Sequence, residues 1–356
     1  MHTSEDIAQV SRYAPQSTQY IKTIYRKTAI LTVLAVLLFL SFVFDLAIGP
    51  SQYAFSEVLN ALFLFDSSNE QIKTVLWEIR MPVALMAVLV GASLSVSGAQ
   101  MQTILNNPLA SPFTLGISAA ASFGAALALA FGVKILPGIS NYIVPLNAFF
   151  MAALSALLIF FLSKRRGATT ETVVLLGIAL VFSFNSLLAA VQYFASEQAV
   201  AAVVFWTMGS LTKATWGKLA LIGLSLVFVL PIFFRRVWIL TSLRLGDEKA
   251  ASFGVNVGYI RLETLILTSL LAALPVAFVG TIGFIGLVGP HIARMIIGED
   301  QRFFLPASLL MGSLILSLSS ILSKTLISGA IFPIGIVTSI IGIPVFFSLI
   351  LASKKA

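Results

Sequence analysis

The chain has 356 residues, of which 58% are hydrophobic and only 10% charged, against roughly a quarter charged in a soluble domain. That balance excludes a soluble globular protein and describes an integral membrane protein. The absence of cysteine removes disulfide frameworks, thiolate metal sites and cysteine nucleophiles. The net charge of +8 is dispersed among loops and makes no nucleic-acid-binding face.

In chain order, residues 1–28 are polar and mixed, too long for the charged start of a cleavable leader, and read as a cytoplasmic segment before a retained first span. Apolar runs near the 20-residue length of a bilayer crossing then recur ten times, at 29–48, 83–104, 113–131, 143–162, 172–194, 219–234, 262–279, 284–297, 303–322 and 334–351. The fold class is therefore all-α and polytopic, with about ten transmembrane helices. No low-complexity linker interrupts residues 29–352, which read as one membrane domain.

Two segments on one side are longer than tight turns. Residues 49–78 alternate polar and apolar positions and predict a short helix on the outer surface, and residues 196–216 carry aromatics that suit a membrane interface. Gly and Pro crowd Asn106–Pro112 and Gly280–Pro290 more densely than close helix packing alone requires. Alternating ten spans from an inside N-terminus places 16 of the 22 Lys and Arg residues on the inside. The positive-inside rule then sets both termini in the cytoplasm.

One internal segment, residues 235–261, breaks the scarcity of charge. Within it LGDEKAASFGV sets Asp247, Glu248 and Lys249 among small residues, with Gly246 and Gly254 at either end. The pattern predicts one or two short helices outside the bilayer. They are either a grip for a soluble partner or a solvated connector.

The chemistry that is missing narrows the function. All 14 acidic residues fall in loops or at span ends, whereas ion-coupled carriers usually place an ionisable group near the midplane. His2 and His291 are the only histidines, too few for a histidine metal site of the intramembrane-protease kind, and His291 reads as structural. No phosphate-binding G-x-x-x-x-G-K-[ST] motif occurs. No catalytic or metal-ligating set can be assembled, which leaves a passive pore, a scaffold or a channel powered by a separate subunit. The charged inner loop favours the last.

Several blocks together carry a family resemblance. WEIRMPVALMAVLVGASLSVSGAQMQTILNNPLASPFTLGISAAASFGAA from Trp77, FWTMGSL from Phe205, LGDEKAASFGV from Leu245, GTIGFIGLVGPHIARMIIGEDQRFFLP from Gly280 and FPIGIVTSIIGIPVFFSLIL from Phe332 follow one another in order. They resemble the FecCD permeases, membrane subunits of type II ABC importers for ferric siderophores, haem and cobalamin. The resemblance runs from about 48 to 351.

It implies a permease of a bacterial or archaeal cytoplasmic membrane, paired with itself or a paralogue around a central path. Two cytoplasmic ATPases, which hold the ATP and magnesium, and an extracytoplasmic binding protein complete the assembly; this chain itself binds no cofactor. Gly246, Asp247, Glu248, Ala250 and Gly254 match the coupling helix that enters the ATPase. Asn107, Leu109, Thr169 and Thr170 match the cytoplasmic gate, although Thr169 and Thr170 also read as a plain helix cap before Thr172. Arg80 and Lys324 match positions that meet the binding protein, with snorkelling to the interface as the alternative.

Two departures bear on the cargo. Val83 stands where cobalamin-importing members have a second arginine, and Ser320 replaces an acid ahead of Lys324. The implied substrate is a ferric siderophore or similar metal chelate, with haem or cobalamin as the alternative and an ion-coupled secondary transporter a more distant one.

Overall fold

The structure is a computed structural model that describes residues 4–49, 57–58, 70–135, 142–327 and 329–353, without the side chains of 4–18, 349, 350, 352 and 353. Among the described residues every regular element is helical. Among those same residues seven helices are long and apolar enough to cross a membrane, and three further apolar helices are shorter.

The first helix, α1, covers Ser4–Ala47, so the backbone of residues 4–28 is helical and runs on into the first span. No Gly or Pro interrupts residues 16–48, so nothing stops the helix before Gly49. Of the outer segment expected to carry a short helix, residues 50–56 and 59–69 lie outside the described residues. Its end is helical: Glu70–Thr74 and a π-helical stretch, Val75–Arg80, run into α2, Met81–Ile104.

The remaining long or apolar helices are α3, Ile117–Phe131; α4, Ile143–Arg165; α5, Thr170–Phe194; α6, Glu197–Thr207; and α7, Trp216–Arg235. Two short helices follow, α8, Val237–Leu243, and α9, Asp247–Ser252. Then come α10, Val257–Val279; α11, Ile285–Ile297; α12, Gln301–Thr325; and α13, Ile334–Ser353.

Helix α2 is the axis, enclosed by α10, α11 and α12. Lipid offers no hydrophobic drive for helix pairing, so close backbone approach and interhelical hydrogen bonds must supply it. A Cβ on Gly98 would overlap the Gly286 carbonyl, and one on Gly91 the Gly312 carbonyl. Hydroxyls also bridge α2 to its neighbours: Ser95 donates to the Ser308 carbonyl of α12 at 2.6 Å, Ser97 to the Thr268 carbonyl of α10 at 2.8 Å, and Ser313 of α12 to the Val88 carbonyl at 2.8 Å.

The dense Gly and Pro clusters mark breaks rather than continuous helix. Helix α10 stops at Gly280, with φ of +82°, and Phe284 opens α11 in the left-handed region. The freed backbone is satisfied by neighbouring breaks: Ser210 N donates to Val279 O at 2.7 Å and Gly335 N to Met208 O at 2.9 Å. Irregular backbone at membrane depth requires such protein partners.

Candidate functional site

The charged segment folds as the two short helices its glycines punctuate. Gly246 and Gly254 take φ of +102° and +81°, a region that costs an L-residue roughly 1–2 kcal/mol. They bend the chain into and out of α9. Leu245 and Phe253, 56% and 67% exposed, flank the helix and point away from the bundle. Glu248 and Lys249 are exposed beside them, without an ion-pair partner among the described residues.

Ala250 is 0% exposed. It packs into its own chain, so added bulk at this position would press on the permease itself. A Cβ on Gly254 meets open space. Only its backbone conformation resists a side chain there.

Asp247 is exposed and also paired within its own chain. Both of its carboxylate oxygens lie 2.9 Å from Nη2 of Arg261. Arg261, in the first turns of α10, is 3% exposed and spends its other nitrogens on two carbonyls. Nε donates to Ile104 O at 2.9 Å and Nη1 to Ala168 O at 2.7 Å. One planar guanidinium thus holds the start of α9, the end of α2 and the turn before α5. A hydrogen bond to a charged group contributes about 1.5–3 kcal/mol.

The gate candidates sit just past those two carbonyls. After Ile104 the chain turns through Asn106, at φ +43°, and Asn107 Oδ1 accepts from Leu109 N at 2.9 Å, an Asx turn. Leu109 is exposed at its tip. After Ala168, at φ +53°, Thr169 caps α5 by accepting from Thr172 N at 3.3 Å, and Thr170 begins the helix half-buried. Ala168 and Asn106 are non-glycine residues in the left-handed region, each a local cost of about 1–3 kcal/mol that surrounding contacts must offset.

A second arginine anchors Asn106. Arg244, at the end of α8, donates Nη1 to Asn106 Oδ1 at 3.0 Å and pairs with Glu299. Arg294 Nε lies 3.3 Å from the same carboxylate, and its Nη2 donates to Gln102 Oε1 at 2.9 Å. Gln100 donates to Gln301 at 3.0 Å, and Gln301 to Thr103 Oγ1 at 2.9 Å. Next along, Asp300 caps α12, and hydrogen bonding from Arg302 holds its carboxyl below the usual range. The Ile104 end of α2 is therefore clasped by polar groups from α8, α10, α11 and α12.

At the other end the two basic residues expected on the surface are tied down. Arg80 is 5% exposed and donates Nη1 to Leu46 O at 3.0 Å and Ala47 O at 2.8 Å, capping α1. The Lys324 side chain is 6% exposed, its Nζ 2.8 Å from Oδ1 of Asp45, which is 0% exposed. Ser320 donates to the same carboxylate at 2.9 Å. Neither basic chain reaches out as snorkelling requires. The acid missing at Ser320 is supplied by α1, a partner the sequence separates by 275 positions.

Of the cavities among the described residues, two lie beside residues discussed above. One, of about 480 Å³, is lined by Trp206, Lys213, Ser320, Lys324 and Phe332 among others. Burial, then the charge of Lys218, lowers the Lys213 pKa. The second, of about 540 Å³, lies where the broken segments meet. Pro112, Thr114, Thr207, Thr281, Phe284 and Ser339 are part of its wall, which includes no charged residue. No group of three or more His, Cys, Asp or Glu side chains suited to a metal occurs among the described residues.

Arg261, Arg244 and Asp45 were not singled out in the sequence. An arginine just inside an apolar helix was the available signal for Arg261, and it was counted only toward topology.

Comparison with known proteins agrees with this architecture. Residues 36–352 match the FecCD transport family. The hemin transport system permease protein of Yersinia pestis is 36% identical over 292 residues, covering 81% of this chain and 86% of that protein. The vitamin B12 import system permease protein of Vibrio vulnificus is 34% identical over 330 residues, covering 93% and 96%. A solved metal-chelate type ABC transporter in an inward-facing conformation superposes with a TM-score of 0.80 at 30% identity, covering 91% of this chain and 99% of that one. The family match over nearly the whole length, together with relatives more than 30% identical over most of both chains, shows that the chain belongs to the FecCD transport family.

Proposed function

We propose that this chain is the membrane permease subunit of an ATP-driven importer, forming the path for a ferric siderophore or similar metal chelate. The observation that carries the proposal is the uncharged cavity at the broken helices, within a family whose other members include hemin and vitamin B12 permeases. Apolar and neutral polar walls let a bulky chelate pass without a charged group to trap it. Selection then falls to a binding protein outside.

Ten crossings account for the helices: the three shorter apolar ones, at about 1.5 Å per residue, cross where the bilayer is thinned or the chain is broken. Both termini and α8–α9 face the cytoplasm. The exposed edge formed by Leu245, Glu248, Lys249 and Phe253 enters a cleft on a separate ATPase, which holds ATP and magnesium. A second permease subunit closes the path. An outer binding protein can meet Arg80 or Lys324 only after they give up their present contacts.

Reconstituting the chain with its ATPase and binding protein in vesicles tests the reading. ATP-dependent uptake of a ferric siderophore is the expected result. Uptake of haem or cobalamin instead would reassign the cargo within the same mechanism. Uptake by the chain alone down an ion gradient would overturn the ATP-driven reading.

A further inference from the structure

We infer that Arg261 is the positioning residue that carries motion of the coupling helix to the inner gate, through its ion pair with Asp247. This rests on the transport reading above and assigns its internal linkage. The guanidinium touches three segments at once: Asp247 at the first position of α9, Ile104 O at the end of α2, and Ala168 O at the start of the gate turn. These are separated by 157 and 93 positions in the chain for the two carbonyls. The rigid fork of an arginine makes their spacing interdependent, which a lysine's flexible single point cannot do.

The three contacts differ in a way that gives direction. Ile104 and Ala168 are 2% and 3% exposed, whereas the Asp247 side chain is 54% exposed and stands on a short helix at the surface. The carboxylate is therefore the movable end and the carbonyls the driven one. At the driven end, Gly167 and Ala168 both have positive φ, 83° and 53°. For Ala168 this is a conformation the backbone leaves readily once its carbonyl is released, and Thr169 and Thr170 follow it directly. Arg244 makes a parallel link from the end of α8 to Asn106, so both halves of the gate hang from the same short-helix segment.

Coupling between sites requires an element that both of them bias, and Asp247 allows that link to be cut alone. Asp247→Asn removes the charge while leaving both Arg261–carbonyl bonds in place. Spin labels at Leu109 and Thr170, in the full assembly with its ATPase, report the gate; a change in their separation on adding nucleotide is expected in the parent protein. In D247N the nucleotide-free separation should stay at the parent value, the nucleotide response should disappear, and substrate moved per ATP hydrolysed should fall about tenfold, within the ordinary range of coupling between sites.

Asp247→Glu keeps the charge and should recover most of both readouts. Parent-like coupling in D247N overturns the inference, and so does a D247E that falls as far as D247N, because packing rather than the ion pair would then be responsible. An absent nucleotide response in the parent assembly would instead count against the transport reading itself.

Discussion

A buried ion pair in a protein surrounded by lipid has little water to fall back on, and Asp45 with Lys324 is such a pair. Removing one partner of a buried pair costs roughly 3–5 kcal/mol, because the other is left charged and uncompensated. Lys324→Met should therefore lower the thermal midpoint of the purified protein markedly. Asp45→Asn together with Lys324→Met should cost less than the single change, since no stranded charge remains. A double variant whose loss, read by thermal unfolding, equals the sum of the losses in Lys324→Met and Asp45→Asn alone would show that the residues act independently. The sequence revealed that Lys324 is basic and at a span end, which suggested docking or snorkelling. It did not reveal the neutralising acid, because Asp45 reads as the end of the first span and its partner is reached only by packing α1 against α12. Arg80 follows the same logic, its acceptors being main-chain carbonyls of α1 that no side-chain pattern announces.

At the scale of elements, α9 was legible because its two glycines and its first-turn acids are local signals, and its inward and outward faces were not. Ala250 looked like a contact for the partner and lies inside; Phe253 and Leu245, which received no role, lie outside. The two faces predict different failures. Ala250→Leu forces volume into a filled position, at roughly 1–3 kcal/mol, and should reduce the yield and stability of the permease before any partner is added. Phe253→Ala should leave both unchanged. It should weaken ATPase association about tenfold to a hundredfold, the equivalent of the 1.5–3 kcal/mol gained by burying such a side chain. Co-purification and thermal unfolding measured on both variants separate the cases. An F253A chain that retained its ATPase fully would move the docking surface elsewhere on the segment.

Over the whole molecule, hydrophobic length showed where helices run, since that signal is local, but not how the breaks meet. The segments around Met208, Gly280 and Gly335 are each a turn in isolation. Only their mutual hydrogen bonds make them one wall of a cavity, and those join positions far apart in the chain. Orientation is the property that still depends on charge counting. Asp247, Arg261, Arg244, Arg294 and Glu299 gather at one end of the bundle, and Arg80, Lys213 and Lys324 lie at the other, where Arg80 and Lys324 are held by internal partners. Acidic residues contribute little to the orienting bias, so the larger number of Lys and Arg residues toward the α8–α9 end counts whether or not they are paired in the fold, and that end should be cytoplasmic. A reporter fused after Lys355 should behave as cytoplasmic, and one inserted near Asn69 as external, although both positions lie outside the described residues. A cysteine in place of Phe253 should resist an impermeant thiol reagent in sealed cells and react once they are opened. Because the chain has no native cysteine, that signal has a single source, and labelling of intact cells would invert the topology and remove α9 from reach of any cytoplasmic ATPase.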